Sequence, residues 1–331
     1  MAEPDYRARA AAGVHALQRW YVRHTGLWET TGWWNAANAL SAVIRYTRHT
    51  GDRDHKHAVE HTFRHAGRKT PDFINMFFDD NGWWGLAWVD AYDLTGEERY
   101  LDAARTIFAH NQTGWDDTCG GGLWWNTDRT YKNAITNELF LTLAALLHQR
   151  TGGQEYLSWA LRDWEWLTAR AFVGPEGLIN DGLTGACANN GGITWTYNQG
   201  VVLGGLAALY DITGDRAYLR HGEGIADAAL SRLASPEGIL TEVCESGSCN
   251  GDQTQFKGIF MRYLHEFYLR SDKHEYRRFI LANADSAWDS ARNQADQFGL
   301  RWAGPFDQAD ASRQSSALEV INAAAALAPR A

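Results

Sequence analysis

Thr95-Gly96-Glu97-Glu98-Arg99-Tyr100-Leu101, TGEERYL, is a phrase that the chain repeats. It returns as Thr151-Gly152-Gly153-Gln154-Glu155-Tyr156-Leu157 and as Thr213-Gly214-Asp215-Arg216-Ala217-Tyr218-Leu219. Degenerate copies stand at Thr50-Gly51-Asp52-Arg53 and Ser271-Asp272-Lys273-His274-Glu275-Tyr276. Each copy follows an apolar helical segment and precedes an amphipathic one. Glycine suits the position just past a helix C-terminus, and the polar cluster caps the next helix. The repeat therefore predicts five helix-turn-helix corners.

Reading back from each corner marks where the preceding helix begins. The starts are Gly32-Trp33-Trp34-Asn35, Gly82-Trp83-Trp84-Gly85, Lys132-Asn133-Ala134-Ile135, Tyr197-Asn198-Gln199-Gly200 and Phe256-Lys257-Gly258-Ile259, with Ser315-Ser316-Ala317-Leu318 opening a sixth helix. These helices are apolar on most faces, as in Val201-Val202-Leu203-Gly204-Gly205-Leu206-Ala207-Ala208-Leu209, a pattern of burial all round. The alternating helices, such as 222–233 and 276–292, carry a charged face. Six buried helices alternating with six amphipathic ones predict an all-α fold, the (α/α)6 toroid, with the buried helices inside. No linker, low-complexity tract or charge run divides the chain, so a single domain over residues 1–331 is expected. In such a toroid the N-termini of the inner helices share one rim. The loops leading to them are long and rich in Gly, Asn and Trp, and function is expected there.

Composition narrows the chemistry. A formal charge of −9 over 331 residues argues against nucleic acid, which wants a basic face, and against anionic membranes. There is no apolar run of about 18 residues, so no membrane span is expected. The opening MAEPDYRARAAAG has no apolar core, so no signal peptide is read there. Sixteen Trp and thirteen Tyr suit a neutral substrate such as a sugar, whose apolar C–H faces lie on aromatic rings. Four cysteines, Cys119, Cys187, Cys244 and Cys249, permit two disulfides. Cys244 and Cys249 flank a Gly-Ser turn and could bridge locally, leaving Cys119 to pair with Cys187; free thiols remain the alternative. No His/Cys pattern has metal-ligand spacing, and no metal or cofactor is expected.

The rim loops bring together a sugar-binding inventory of carboxylates, amides, one lysine and aromatics. At its centre is Phe77-Phe78-Asp79-Asp80-Asn81-Gly82-Trp83-Trp84, FFDDNGWW. Glycoside hydrolysis takes one carboxylic acid to protonate the leaving oxygen and a second carboxylate to attack or to activate water. Adjacent aspartates in an irregular loop can aim at one point and leave little room for an intervening water, which favours retention. Their repulsion raises the pKa of one member and couples their titration. The bland reading is helix capping by Asp80 or Asn81. Trp34, Trp83, Trp125 and Trp302 are candidate sugar platforms, with core packing as the alternative. Asn133 and Asn137, at i and i+4 on one helix, could both reach into the mouth. Asp181, Tyr197, Asn198 and Lys257 complete the candidate substrate contacts. The histidines contribute nothing at the helix starts; His55, His57, His61 and His65 read as a solvated helix face.

These motifs resemble glycoside hydrolase family 76, over about Trp33 to Trp302. The resemblance rests on FFDDNGWWGLAWVDAYDLTG, CGGGLWWN with YKNAITNELF, WTYNQGVVLGG and CNGDQTQFKGIFMRYL. It implies an (α/α)6 endo-α-1,6-mannanase that acts on α-mannan with retention, with Asp79 as nucleophile and Asp80 as acid/base. It also implies a likeness to fungal cell-wall mannan transglycosidases. The fungal branch shares the Cys119, Cys187 and Cys244/Cys249 positions, which supports disulfides and a secreted or extracytoplasmic protein, although the absent signal leaves a cytoplasmic one open. A monomer is expected. Transglycosylation by the same pair, a non-catalytic mannan-binding module and a sugar epimerase are the competing functions, the last disfavoured by the lack of histidines at the mouth.

Overall fold

The computed structural model describes residues 4–328. Twelve α-helices make up most of this stretch: α1 (Tyr6–Leu17), α2 (Trp33–Thr50), α3 (His57–Lys69), α4 (Phe78–Thr95), α5 (Glu98–Gln112), α6 (Ala134–Thr151), α7 (Gln154–Ala169), α8 (Thr196–Thr213), α9 (Arg216–Arg232), α10 (Phe256–Tyr268), α11 (His274–Ser290) and α12 (Ala311–Leu327). Among the described residues the only paired strands are Tyr21–Val22 and Leu27–Trp28.

Burial alternates along this series. In α12 every residue from Ala311 to Ala325 is buried, and α2, α4, α6, α8 and α10 are buried nearly throughout. In α9 only Leu219, Gly222, Ile225, Ala226 and Ala229 are buried, one stripe at helical spacing.

The repeated corners owe their form to two side chains. Gly51, Gly96, Gly152 and Gly214 follow α2, α4, α6 and α8 at φ of 79°, 72°, 71° and 72°. Each donates its N–H to the carbonyl four residues back, Thr47, Tyr92, His148 or Tyr210. The threonine before each glycine works in both directions. Its hydroxyl donates to the carbonyl of Tyr46, Ala91, Leu147 or Leu209 at 2.7–2.8 Å. Its oxygen accepts the N–H of Asp52, Glu97, Gly153 or Asp215 at 3.1–3.2 Å. The helix end and the turn leaving it are thus satisfied by one hydroxyl and one left-handed residue.

Packing divides the described residues into two compact units. One holds residues 4–69, 233–268 and 272–328; the other holds Thr70–Arg232 and Leu269–Ser271. In the first, α12 packs on α1, α2, α10 and α11. In the second, α6 packs on α4, α7 and α8, while α5 covers α4 and α9 covers α8.

Two helices begin earlier than their sequence signals. α4 starts at Phe78 and α12 at Ala311, each four residues ahead of Gly82 and Ser315. Asp79 and Asp80 therefore stand in the first turn of α4, not in an irregular loop. Carboxylates are favoured there by the positive end of the helix dipole, and the Phe78 N–H, which lacks a helical partner, donates to the Trp125 carbonyl at 2.9 Å.

Replacing Gly214 by alanine leaves the corner uncrowded, since a Cβ there meets no atom within 4 Å. The left-handed φ remains, so Gly214→Ala is expected to lower stability by about 1 kcal/mol. Urea unfolding checks this as a lower midpoint at unchanged slope.

Candidate active site

The residues around Asp79 and Asp80 belong to the second unit. Both carboxylates are half-buried. Asp79 accepts two hydrogen bonds: its Oδ1 from the Asp80 backbone N–H at 3.0 Å and its Oδ2 from the Trp125 indole Nε1–H at 3.0 Å. Asp80 accepts from Asn75 Nδ2 at 2.7 Å. The adjacent acids therefore sit in different fields. Burial, and then the charge of Asp80, push the Asp79 carboxyl well above the usual carboxylate range, while the N–H groups pull it back. Two like charges this close do not both ionise readily, so the pair retains a proton.

The turn that presents them is braced from behind. Asn75 Oδ1 accepts the Phe77 N–H at 2.7 Å, and Asn81 Oδ1 accepts the Asn75 N–H at 2.8 Å. Asn111, buried on α5, donates to the Phe78 carbonyl at 2.8 Å and accepts from Asn81. The amide network fixes the first turn of α4 from three sides.

Trp125 is held by a glycine-rich loop. Gly121 and Gly122 have φ of 135° and 85°, and a Cβ on either would fall 2.7 Å from the Trp115 ring or 2.3 Å from the Trp166 ring. The loop wraps the ammonium of Lys132. This buried side chain donates to Asp116 Oδ1 at 2.8 Å and to the carbonyls of Thr118, Gly121 and Gly122 at 2.7–2.8 Å. Burial works to raise the Asp116 carboxyl, but hydrogen bonds from Lys132 and Trp124 draw it well below the usual range. The Cys119–Cys187 disulfide joins this loop to the segment after Asp181.

Asp181 stands in a third loop. The Tyr131 hydroxyl donates to its Oδ2 at 2.5 Å, and Asn190 Nδ2 donates to the Tyr131 oxygen at 2.9 Å. Burial raises the Asp181 carboxyl; bonds from Tyr131 and Trp195 oppose this. Tyr197 is half-buried, its ring stacked at 6.4 Å on Trp83.

The other expected contacts have structural duties. Asn133 caps α6, accepting from Thr136 N–H, and Asn137 is fully buried, its amide paired with the backbone of Leu123 and Asn133. The Asn133 oxygen is thus engaged in the cap, and both ends of the Asn137 amide are engaged with backbone. Trp83 is buried. Asn198 is fully buried, and neither of its amide atoms meets a partner among the described residues. Trp34, Lys257 and Trp302 belong to the first unit. There Lys257 is buried against Glu245 at 2.7 Å, bonds the Leu300 carbonyl at 2.7 Å and lies 4.5 Å from the centre of the buried Trp302 ring. Trp34 is half-buried and donates to Asp252 at 2.7 Å. Cys244 and Cys249 form the second disulfide. Sequence reasoning missed Asn75, Asn111 and the bracing role of Lys132; only Asn75, a few positions before the Asp pair, lies close enough in sequence to have been signalled. Among the described residues no group of three or more His, Cys, Asp or Glu could hold a metal.

The family model for glycosyl hydrolase family 76 matches residues 7–330. The chain belongs to this family. It is 31% identical over 325 residues to mannan endo-1,6-α-mannosidase DFG5 of Candida albicans, a match covering 88% of this chain and 72% of that protein. Two relatives in Schizosaccharomyces pombe, 28% and 31% identical, are matched over only 57% and 60% of their length. The α-1,6-mannanase GH76A of Salegentibacter sp. HEL1_6 has been solved as an inactive variant, two consecutive aspartates replaced by asparagine, in complex with α-1,6-mannotriose. It is 25% identical, with a TM-score of 0.88, covering 98% of this chain and 100% of that one. An inactive variant with alanines there, in complex with α-1,6-mannotetraose, is 26% identical at the same TM-score and coverage. The fold class is accordingly all-α, (α/α)6.

Lys132→Met leaves one carboxylate and three carbonyls without their common donor. It is expected to cost about 3 kcal/mol of stability, read as a lowered denaturation midpoint, and to loosen the Trp125 loop, read as faster amide exchange at residues 118–125.

Proposed function

We propose that this chain is a retaining endo-α-1,6-mannanase whose nucleophile is Asp79 and whose acid/base is Asp80. The observation that carries the reading is two adjacent carboxylates in one helical turn, the first of them held by the Trp125 indole and the Asp80 backbone N–H, in a family whose solved relative is inactive without two consecutive aspartates. Two N–H donors to Asp79 favour its ionised form against the burial and neighbouring charge that raise it, and in the proposed chemistry Asp79 carries the negative charge and Asp80 the proton.

In the first step an Asp79 oxygen attacks the anomeric carbon of an α-1,6-linked mannosyl unit. The bond to the leaving oxygen breaks as Asp80 gives that oxygen its proton, and a β-linked mannosyl-enzyme forms. In the second step the Asp80 carboxylate takes a proton from water, whose oxygen attacks the same carbon. Asp79 leaves as carboxylate and Asp80 is again protonated. Two inversions give net retention. Trp125 fixes Asp79 through its indole N–H, and Asp181, Tyr197 and Asn198 are proposed to contact the sugar. α-Mannan is the proposed substrate. The two disulfides favour an extracytoplasmic setting, and no described helix is long and apolar enough to cross a membrane.

Asp79→Asn and Asp80→Asn are each expected to reduce cleavage of linear α-1,6-mannan at least about 100-fold with unchanged helical circular dichroism. Proton NMR of the wild-type digest should show the α-anomer first. Retained activity in either variant, or a first-formed β-anomer, refutes the assignment. Adding mannose or a short mannoside as acceptor separates hydrolysis from transfer.

Trp125→Phe removes an N–H that favours ionised Asp79. The Asp79 pKa, already raised by burial and Asp80, then rises further. Because the ionised form is the active one, activity is lost as pH falls through this pKa. The acidic limb of kcat/KM should therefore move to higher pH, and a pH–rate profile of the two proteins checks the direction.

A further inference from the structure

A cavity of about 480 Å³ lies between α7 and α9 in the second unit, with α6 and α8 beneath it. Its volume falls in the range of small-molecule sites. Its inner wall is apolar, built from the buried Leu167, Phe172, Ile179, Val202 and Ile225. One ionisable side chain comes up through that wall. Glu138 of α6 is fully buried, and neither carboxyl oxygen meets a hydrogen-bond partner among the described residues. Proteins rarely leave such a group unmatched, because an unpaired buried polar group costs roughly 1–3 kcal/mol.

Burial, then the charges of Asp163 and Asp181, push the Glu138 carboxyl well above its usual range. The floor of the cavity therefore presents a neutral acid, with one O–H to donate and one oxygen to accept. The acids around it disfavour an anion. Arg220, exposed at the rim beside His221, disfavours a cation entering.

A second feature keeps the space open. Gly224 sits in the middle of α9, where glycine costs about 1 kcal/mol against alanine. A Cβ there would meet nothing within 4 Å. No close packing demands this glycine, and its bare backbone edges the cavity.

We infer that this cavity is a binding site for an uncharged, largely apolar molecule ending in a hydroxyl, with the hydroxyl paired to the Glu138 carboxyl. Its lining includes neither Asp79 nor Asp80.

Isothermal titration of the full chain with 1-octanol, octylammonium chloride and sodium octanoate tests it. Saturable binding of 1-octanol is expected, at least about tenfold tighter than either charged analogue. Gly224→Leu, which fills the cavity, should weaken 1-octanol at least about tenfold and leave mannan cleavage unchanged. Glu138→Leu, similar in size and apolar, should weaken it by a comparable factor. The inference is overturned if 1-octanol shows no saturable binding, if either variant binds it as wild type does, or if a charged analogue binds more tightly.

Discussion

Two carboxylates in one helical turn repel each other, and the surroundings of Asp79 and Asp80 are arranged to hold them there. The start of α4 supplies the favourable end of a helix dipole. Trp125 and the Asp80 backbone supply N–H groups to one acid, and Asn75 supplies another to its neighbour. Each of those donors is itself fixed. Asn75 is pinned by Phe77 and Asn81, and Trp125 rides on a loop wrapped around Lys132. The network extends from the acid pair to a buried ammonium, a disulfide and two tight glycines. It holds the two acids together at one point, and the proposed chemistry depends on that juxtaposition.

The same arrangement opposes stability. A carboxyl whose pKa is raised on folding stabilises the protein most at low pH and loses that contribution as pH rises through the folded value. Asp79, Asp181 and Glu138 are all raised by burial. The corners and the glycine-rich loop offset some of this by local satisfaction of backbone groups. The fold thus tolerates strained acids in one region because its helix ends are well made elsewhere.

What could be read from sequence follows the range of each interaction. The Thr-Gly corners were legible because their chemistry is local: one hydroxyl, one left-handed residue and carbonyls within four positions. The alternation of buried and amphipathic helices was legible from periodicity. The start of α4 was misplaced because Phe77 and Phe78 do not look like a cap; the Phe78 N–H is satisfied by Trp125, 47 positions away. Asn133 and Asn137 read as ligands from their spacing, yet the Asn133 oxygen caps α6 and the loop backbone at Leu123 claims the Asn137 amide. Lys132 shows the same limit, since nothing beside it in sequence announces that carbonyls 10 to 14 residues earlier will fold around it. The Asp pair itself stood out from sequence alone, being two like charges with no solubility purpose among aromatics.

The most direct test of the account is to trap the covalent intermediate. The protein is incubated with 2-deoxy-2-fluoro-α-mannosyl fluoride, digested, and its peptides analysed by tandem mass spectrometry. The account predicts one fluoromannosyl adduct, on the Asp79 side chain, and none in Asp79→Asn. An adduct on Asp80, or turnover of the reagent with inversion and no adduct, would contradict it.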